Sequence, residues 1–324
     1  MAITPYYVDS DIGGTSGAGT EGNPFSAIQH AYDTVTRDAT NGDLFYGKGS
    51  ETLAAALDRT AYGTPTETAP LVHALWDGNP WTLTAANATT AIEPFTNFSS
   101  FIGVTFDCAA ATVRSISAGA LSLYLNCVFR NSAYNNTNSM MLCNTAASVY
   151  GCHFYNAFYA VRTNAGLIQG CHFEDCEIRA ISALDGNTRI IGNTFSLVDH
   201  AAAMAIATSN SSIQALNNSI LAAAGTSALI DVNSTSGGTV IANNLLDGAS
   251  GTGGIDIQVA GPGAAVFGNA SYNCATNYSI TNGAYELDNE VLGSSPFAKS
   301  GANTFANRGP YFAPLNVGNV WGSV

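Results

Sequence analysis

Three pairs of chemically capable side chains recur at nearly one interval. Glu177 and Asp199 stand 22 residues apart, Asp231 and Asp256 stand 25 apart, and His153 and His172 stand 19 apart. A backbone that returned on itself at that interval would set each pair on adjacent strands, about 4.8 Å from one another. Two carboxylates held that close resist both being charged, so one pKa rises. The raised group can then act as a general acid beside an ionised partner. Retaining glycosidases place their two carboxyls about 5 Å apart, and inverting ones farther. Two stacked imidazoles could in turn ligate a metal ion.

Each pair also has a plainer reading. Acidic side chains lie on protein surfaces by default, and 23 Asp and Glu spread over the chain give coincident slots by chance. Exposed histidine pairs are commonly inert. From 201 to 290 there is no Lys, Arg or His, so Asp231 and Asp256 have no cation nearby in sequence, whereas Arg179 and His200 flank Glu177 and Asp199. The sequence alone therefore favours no catalytic or metal assignment, and Glu177, Asp199, Asp231, Asp256, His153 and His172 stand as candidates.

A recurring phrase supplies the interval. It reads Gly103-Val104-Thr105-Phe106, Asn126-Cys127-Val128-Phe129, Gly151-Cys152-His153-Phe154, Gly170-Cys171-His172-Phe173 and Gly192-Asn193-Thr194-Phe195. Asn217-Asn218-Ser219-Ile220, Asn243-Asn244-Leu245-Leu246 and a weaker Gly268-Asn269-Ala270-Ser271 continue it. The last residues of these phrases are 19 to 26 positions apart, the length of one coil of a solenoid. In each phrase the second and fourth residues should face inward and the third outward. Cys127, Cys152 and Cys171 share the inward slot that Asn193, Asn218, Asn244 and Asn269 fill later, which predicts a ladder of thiols followed by amides. Seven cysteines, an odd number, argue against a full disulfide framework, and a straight ladder is the wrong shape for tetrahedral zinc. A second strand per coil is expected at Leu142, Val161, Ile181, Ile206, Val232 and Ile257. Asp231 and Asp256 directly precede the last two, so both should point outward.

Before the repeats, Tyr6-Tyr7-Val8 reads as a strand and the following Gly-rich segment as a loop. Ser26-Ala27-Ile28-Gln29 has the form of a capping box, and Ile28, Ala31, Tyr32 and Val35 share one helical face. This helix is expected to cover the open end of the first coil. Residues 51–273 are expected to form the coils, with 1–50 as a head and 274–324 as a C-terminal cap or assembly arm, all in one domain. After 273 the phrase fades into an irregular, aromatic ending with Pro310, Tyr311, Phe312 and Trp321.

Composition excludes several functions. Ten Lys and Arg against 23 Asp and Glu give a net charge of −13, without the clustered basic face that nucleic-acid binding requires. No apolar run is long enough for a membrane span, and the start carries no secretion signal. Only 10% of residues are charged, low for a globular enzyme but compatible with coils sharing uncharged ladders.

The chain resembles the right-handed parallel β-helix superfamily, which includes pectate lyases and phage tailspikes. The resemblance rests on the Tyr6-Tyr7-Val8-Asp9 opening, the Gly-rich loop, the Pro24-to-Gln29 helix start, the eight phrases and the closing Gly293-Ser294-Ser295-Pro296. It implies an all-β solenoid with an N-terminal capping helix and an irregular C-terminal segment. Without a signal peptide the chain looks most like phage-borne members. That likeness implies a non-enzymatic structural protein of a virus particle surface: a head decoration, spike or fibre part, released by lysis. It further implies homotrimers and other virion proteins as partners, with no cofactor. The alternative it implies is an extracellular polysaccharide lyase or hydrolase, or a glycan-binding adhesin.

Overall fold

The structure is a computed structural model. It describes all residues except 1–2, 14–15, 87–91, 112–115, 133–138, 145, 198–202, 210, 223–227, 235–236, 249–252, 261–262, 281–284, 294–296, 301–303 and 308–324. The chain is an all-β parallel β-solenoid. It divides into two compact units, Met1–Gly166 and Leu167–Val324.

Each coil carries up to three strands, and the recurring phrase makes the corner between the first and second. Its opening residue is left-handed in all eight copies, with φ from +52° at Asn126 to +75° at Gly103. Only Gly and, less readily, Asn adopt that conformation at low cost, which is why the slot alternates between those two residues. The phrase-final residues then stack inward. In the first unit Leu83, Phe106, Phe129 and Phe154 pair in register. The Phe106–Phe129 rings lie 5.0 Å apart and the Phe129–Phe154 rings 4.6 Å, stacked with nearly parallel planes. In the second unit the file runs Phe173, Phe195, Ile220, Leu246 and Ser271. All these residues except Phe195, at 2%, are fully buried.

The amide ladder forms as the phrase predicts. Asn193, Asn218, Asn244 and Asn269 are buried, and each side-chain oxygen from Asn218 onward accepts from the backbone N–H and the amide of the Asn one coil earlier. The second amide hydrogen goes to a strand carbonyl, such as Ile190 for Asn218 and Ala215 for Asn244. Every polar atom of these rungs is thereby paired, as burial demands. The ladder also runs past the point where the phrase fades in sequence. Asn289 accepts from Asn269 in the same way, and Asp288 before it is left-handed at φ +52°. Parallel pairing continues to Glu290–Val291. Farther on, Phe297–Ser300 and Thr304–Asn307 form an antiparallel hairpin.

Two local expectations are corrected. The helix spans Ile28–Thr34 and buries Ile28, Ala31 and Tyr32, but no capping box forms. Ala27 is the N-cap, and the Ile28 N–H donates instead to the Glu51 carboxylate at 2.9 Å, from a strand 23 residues on. Ser26 is occupied as an acceptor for the Ser16 N–H, and Gln29 bonds Asp33 and the Asp58 carbonyl. The second-strand stack is also displaced from the expected residues. Met141, not Leu142, pairs with Val161, and Ile181, Ile206, Ile230 and Ile255 form the inward file where Val232 and Ile257 were expected. Loops of unequal length separate the two strands of each coil, so a fixed count back from the phrase drifts. The drift at Val232 is two residues, which keeps strand parity.

The first unit begins with Pro5–Asp9 paired to the long strand Asp43–Leu53. Its inward file is aromatic: Tyr6, Phe45, His73, Phe101 and Tyr124. His73 is fully buried, stacked 4.2 Å from Phe101, and bonded to the Tyr32 hydroxyl at 2.6 Å and the Ser100 carbonyl at 3.1 Å. Among the described residues no helix is long and apolar enough to cross a membrane.

Candidate functional site

The strongest arrangement lies in the second unit. The strands Ala228–Ser234 and Gly253–Ala260 pair in parallel, and Asp231 stands opposite Asp256. Ile230 and Ile255, one residue earlier on each strand, are fully buried, so alternation turns both carboxylates outward. The column continues with Ala207 on one side and Ser279 on the other. The acids are therefore flanked by two small side chains, of which Ala207 is buried and Ser279 half-buried. The register shifts immediately afterward, between Val232 and Asn233. Such irregularities twist a strand and re-aim its side chains, and they recur next to active sites.

Electrostatics separate the two acids. Burial pushes the half-buried Asp231 carboxyl above its ordinary value, the charge of Asp256 pushes it further, and Arg179 opposes both. Arg179 is the cation that the sequence around Asp231 lacks. It arrives from the strand His172–Ala183, where it pairs with Met204, two coils before Asp231. A separation of 52 residues hid this influence from any local reading.

The other candidates fall as follows. Glu177 lies half-buried on the strand of Arg179, two residues before it. Its expected partner Asp199, with His200, lies outside the described residues, so that pair is not brought together here. His153 belongs to the first unit, its ring 5.1 Å from Tyr155. His172 belongs to the second, where Nδ1 meets the Thr194 hydroxyl at 2.7 Å and Nε2 stands 3.8 Å from Glu174. All seven cysteines are free, and all but Cys274 are buried.

Sequence reasoning missed one polar cluster in the first unit. Asp107, Arg130 and Tyr155 follow directly on the stacked phenylalanines and pair in register. Arg130 Nε donates to Asp107 at 2.8 Å and Nη1 to the Tyr155 hydroxyl at 3.4 Å. Asn131 donates to the other Asp107 oxygen at 3.0 Å. The available signal was the slot one past each phrase, which holds Asp, Arg and Tyr in successive coils.

No family model matches the chain, and no curated protein does. Solved structures resemble it in fold. Pectate lyase Pel9A superposes with a TM-score of 0.56 at 16% identity, over 90% of this chain and 78% of that one. A lacto-N-biosidase from Eubacterium ramulus gives 0.49 at 11%, over 89% and 67%. The Streptococcus pneumoniae surface protein and adhesin PfbA gives 0.41 at 9%, over 79% and 89%. At these identities the likeness is one of fold.

Proposed function

We propose that this chain acts on a polysaccharide by glycoside hydrolysis, with Asp231 and Asp256 as its acid–base pair. The observation that carries this reading is the register of Asp231 opposite Asp256, with the first carboxyl held toward its neutral form. Adjacent strands put such groups about 5 Å apart, the spacing of a retaining pair. Asp231 would donate its proton to the glycosidic oxygen as the C1–O bond breaks. Asp256 would attack C1 and hold the sugar as an ester. Water then opens the ester, giving its proton to Asp231 and restoring both groups. A pectate lyase is among its structural neighbours, which supports action on a polysaccharide at the level of fold.

The test is direct. Purified protein is incubated with a panel of plant, bacterial and host polysaccharides, and new reducing ends are counted. Wild type should release them, and Asp231→Asn and Asp256→Asn should each fall by about a thousandfold while keeping the wild-type far-ultraviolet circular dichroism. Binding without release would make the chain an adhesin. Neither binding nor release would favour a non-enzymatic part of a virus particle surface, which mass spectrometry of purified particles would then identify.

A further inference from the structure

We infer that the segment 308–324 folds back over the open end of the last coil and closes the core of the second unit. That end is built by Thr276–Ile280, Tyr285–Leu287 and Glu290–Val291, each paired to the strand one coil earlier. Among the described residues no strand pairs with their other edge. The first strand of the first unit differs. There the Tyr7 N–H donates to the Gly19 carbonyl at 3.0 Å and the Asp9 N–H to the Phe25 carbonyl at 2.7 Å. A solenoid coil buries its inner face only against a neighbour or a cover, and a bare strand edge is a template for further pairing.

The inner layer of the last coil is left showing. The phrase-final file, buried down to Ser271, ends on Val291, which is 58% exposed. Tyr278 stands opposite the fully buried Ile255 yet is only half-buried itself. On the outer side, Leu287 pairs with Phe267, and both are exposed, as is Tyr285 two residues before. Of the seven exposed large apolar side chains among the described residues, four fall in these last two coils. They make a patch rather than a scatter, and such patches mark contact surfaces.

Charge selects the cover. Glu286 pairs with the fully buried Val266 and so holds an inward position, and Glu286, Asp288 and Glu290 are all exposed. One more strand stacked in register would bury Glu286, and an inward charge on an edge opposes that pairing. A second copy docked end to end through the same surface would press three more carboxylates against these three. The chain beyond Val291 has the opposite character. Residues 292–324 carry Lys299 and Arg308 and no Asp or Glu.

Residues 308–324 lie outside the described residues. Their sequence supplies Tyr311, Phe312, Leu315, Val317, Val320 and Trp321 within 17 positions, directly after Arg308. Extended, that length reaches up to about 55 Å, while the longest strand of the last coil has five residues and covers about 17 Å. Pro310 and Pro314 lack the N–H that an added strand would donate, so the stretch around Tyr311 and Phe312 suits cover by its rings.

The experiment follows amide hydrogen exchange at 276–280 and 285–291 in the full chain and in a chain stopped after Asn307. Loss of the segment should speed exchange there by at least about tenfold and leave strands 204–209 and 219–222 unchanged. A synthetic 308–324 peptide added to the shortened chain should restore protection, and the same peptide carrying Tyr311→Ser, Phe312→Ser and Trp321→Ser should not. If the shortened chain fails to fold by circular dichroism, Trp321→Ser and Leu287→Asp in the full chain take its place, each expected to speed exchange at the same strands. Protection in the full chain should be independent of protein concentration. Exchange at the last coil that ignores both the truncation and Trp321→Ser overturns the inference. Protection that rises with concentration assigns the cover to a second copy and overturns it as well.

Discussion

Asn244 offers the sharpest test of what holds the two aspartates in line, because its rung belongs to the turn of chain that connects the strands carrying them. The Asn244 side-chain oxygen accepts from the Asn218 N–H at 3.0 Å and from the Asn218 amide at 2.9 Å. Its own amide donates to Asn269 and to the Ala215 carbonyl, both at 2.9 Å. Asn244→Ala removes all four bonds. Asn269 keeps the Asn244 backbone N–H as a donor, but the Asn218 N–H and one hydrogen of its amide lose their acceptor inside a dry core. Each such orphan costs about 1–3 kcal/mol, so the variant should lose about 3–5 kcal/mol, a large share of a typical domain's stability. Asn244→Asp should cost more. It retains one oxygen but turns a second toward the Ala215 carbonyl, and adds a buried charge without a cation. Urea unfolding followed by circular dichroism measures both. Native-state hydrogen exchange shows whether the loss centres on strands 219–222 and 245–247, as nearest-neighbour coupling in a solenoid requires. If Asn244→Ala costs less than 1 kcal/mol and Asn244→Asp is tolerated at neutral pH, the rungs are not sealed from water and the reasoning is wrong.

Other outcomes follow from single features. Asn243 is left-handed at φ +55°, so Asn243→Gly should be neutral or slightly stabilising, while Asn243→Val should cost about 1–2 kcal/mol; thermal unfolding checks both. His73 is held well below its ordinary pKa by burial, then by the charge of Arg59. Its contribution is therefore intact above the unfolded value of about 6.5 and lost as pH falls below it, by up to about 1.4 kcal/mol per unit. A His73→Phe variant should show a flatter stability profile between pH 6.5 and 4.5. Six of the seven thiols are buried, and burial raises that of Cys176 far above the ordinary thiol value. A thiol reagent should therefore modify at most Cys274 in the native protein and all seven after unfolding.

The solenoid was legible because its grammar is local. Gly or Asn at a left-handed corner, a small inward residue and an inward phenylalanine recur within four positions, and each is dictated by backbone sterics or by strand parity. The outward placement of Asp231 and Asp256 followed from the same parity, and survived a two-residue error in the second-strand stack because two is one full strand period. What the sequence hid came from elsewhere in space. The charge of Arg179 acts on Asp231 from two coils away, and Glu51 replaces the expected Ser26 cap because a neighbouring strand competes for the helix N–H groups. The fifth amide rung, at Asn289, was missed because Val291, exposed by 58%, stands where the earlier phrases end in a buried residue.

The central claim is that Asp231 and Asp256 form one coupled pair, and site-resolved carbon NMR of the aspartate carboxyls across a pH titration measures it most directly. The account predicts that Asp231 titrates above the ordinary value of 3.8, that Asp256→Asn brings it down, and that Arg179→Gln lifts it further. An Asp231 that titrates normally, or ignores the loss of Asp256, would contradict the pairing and the chemistry built on it.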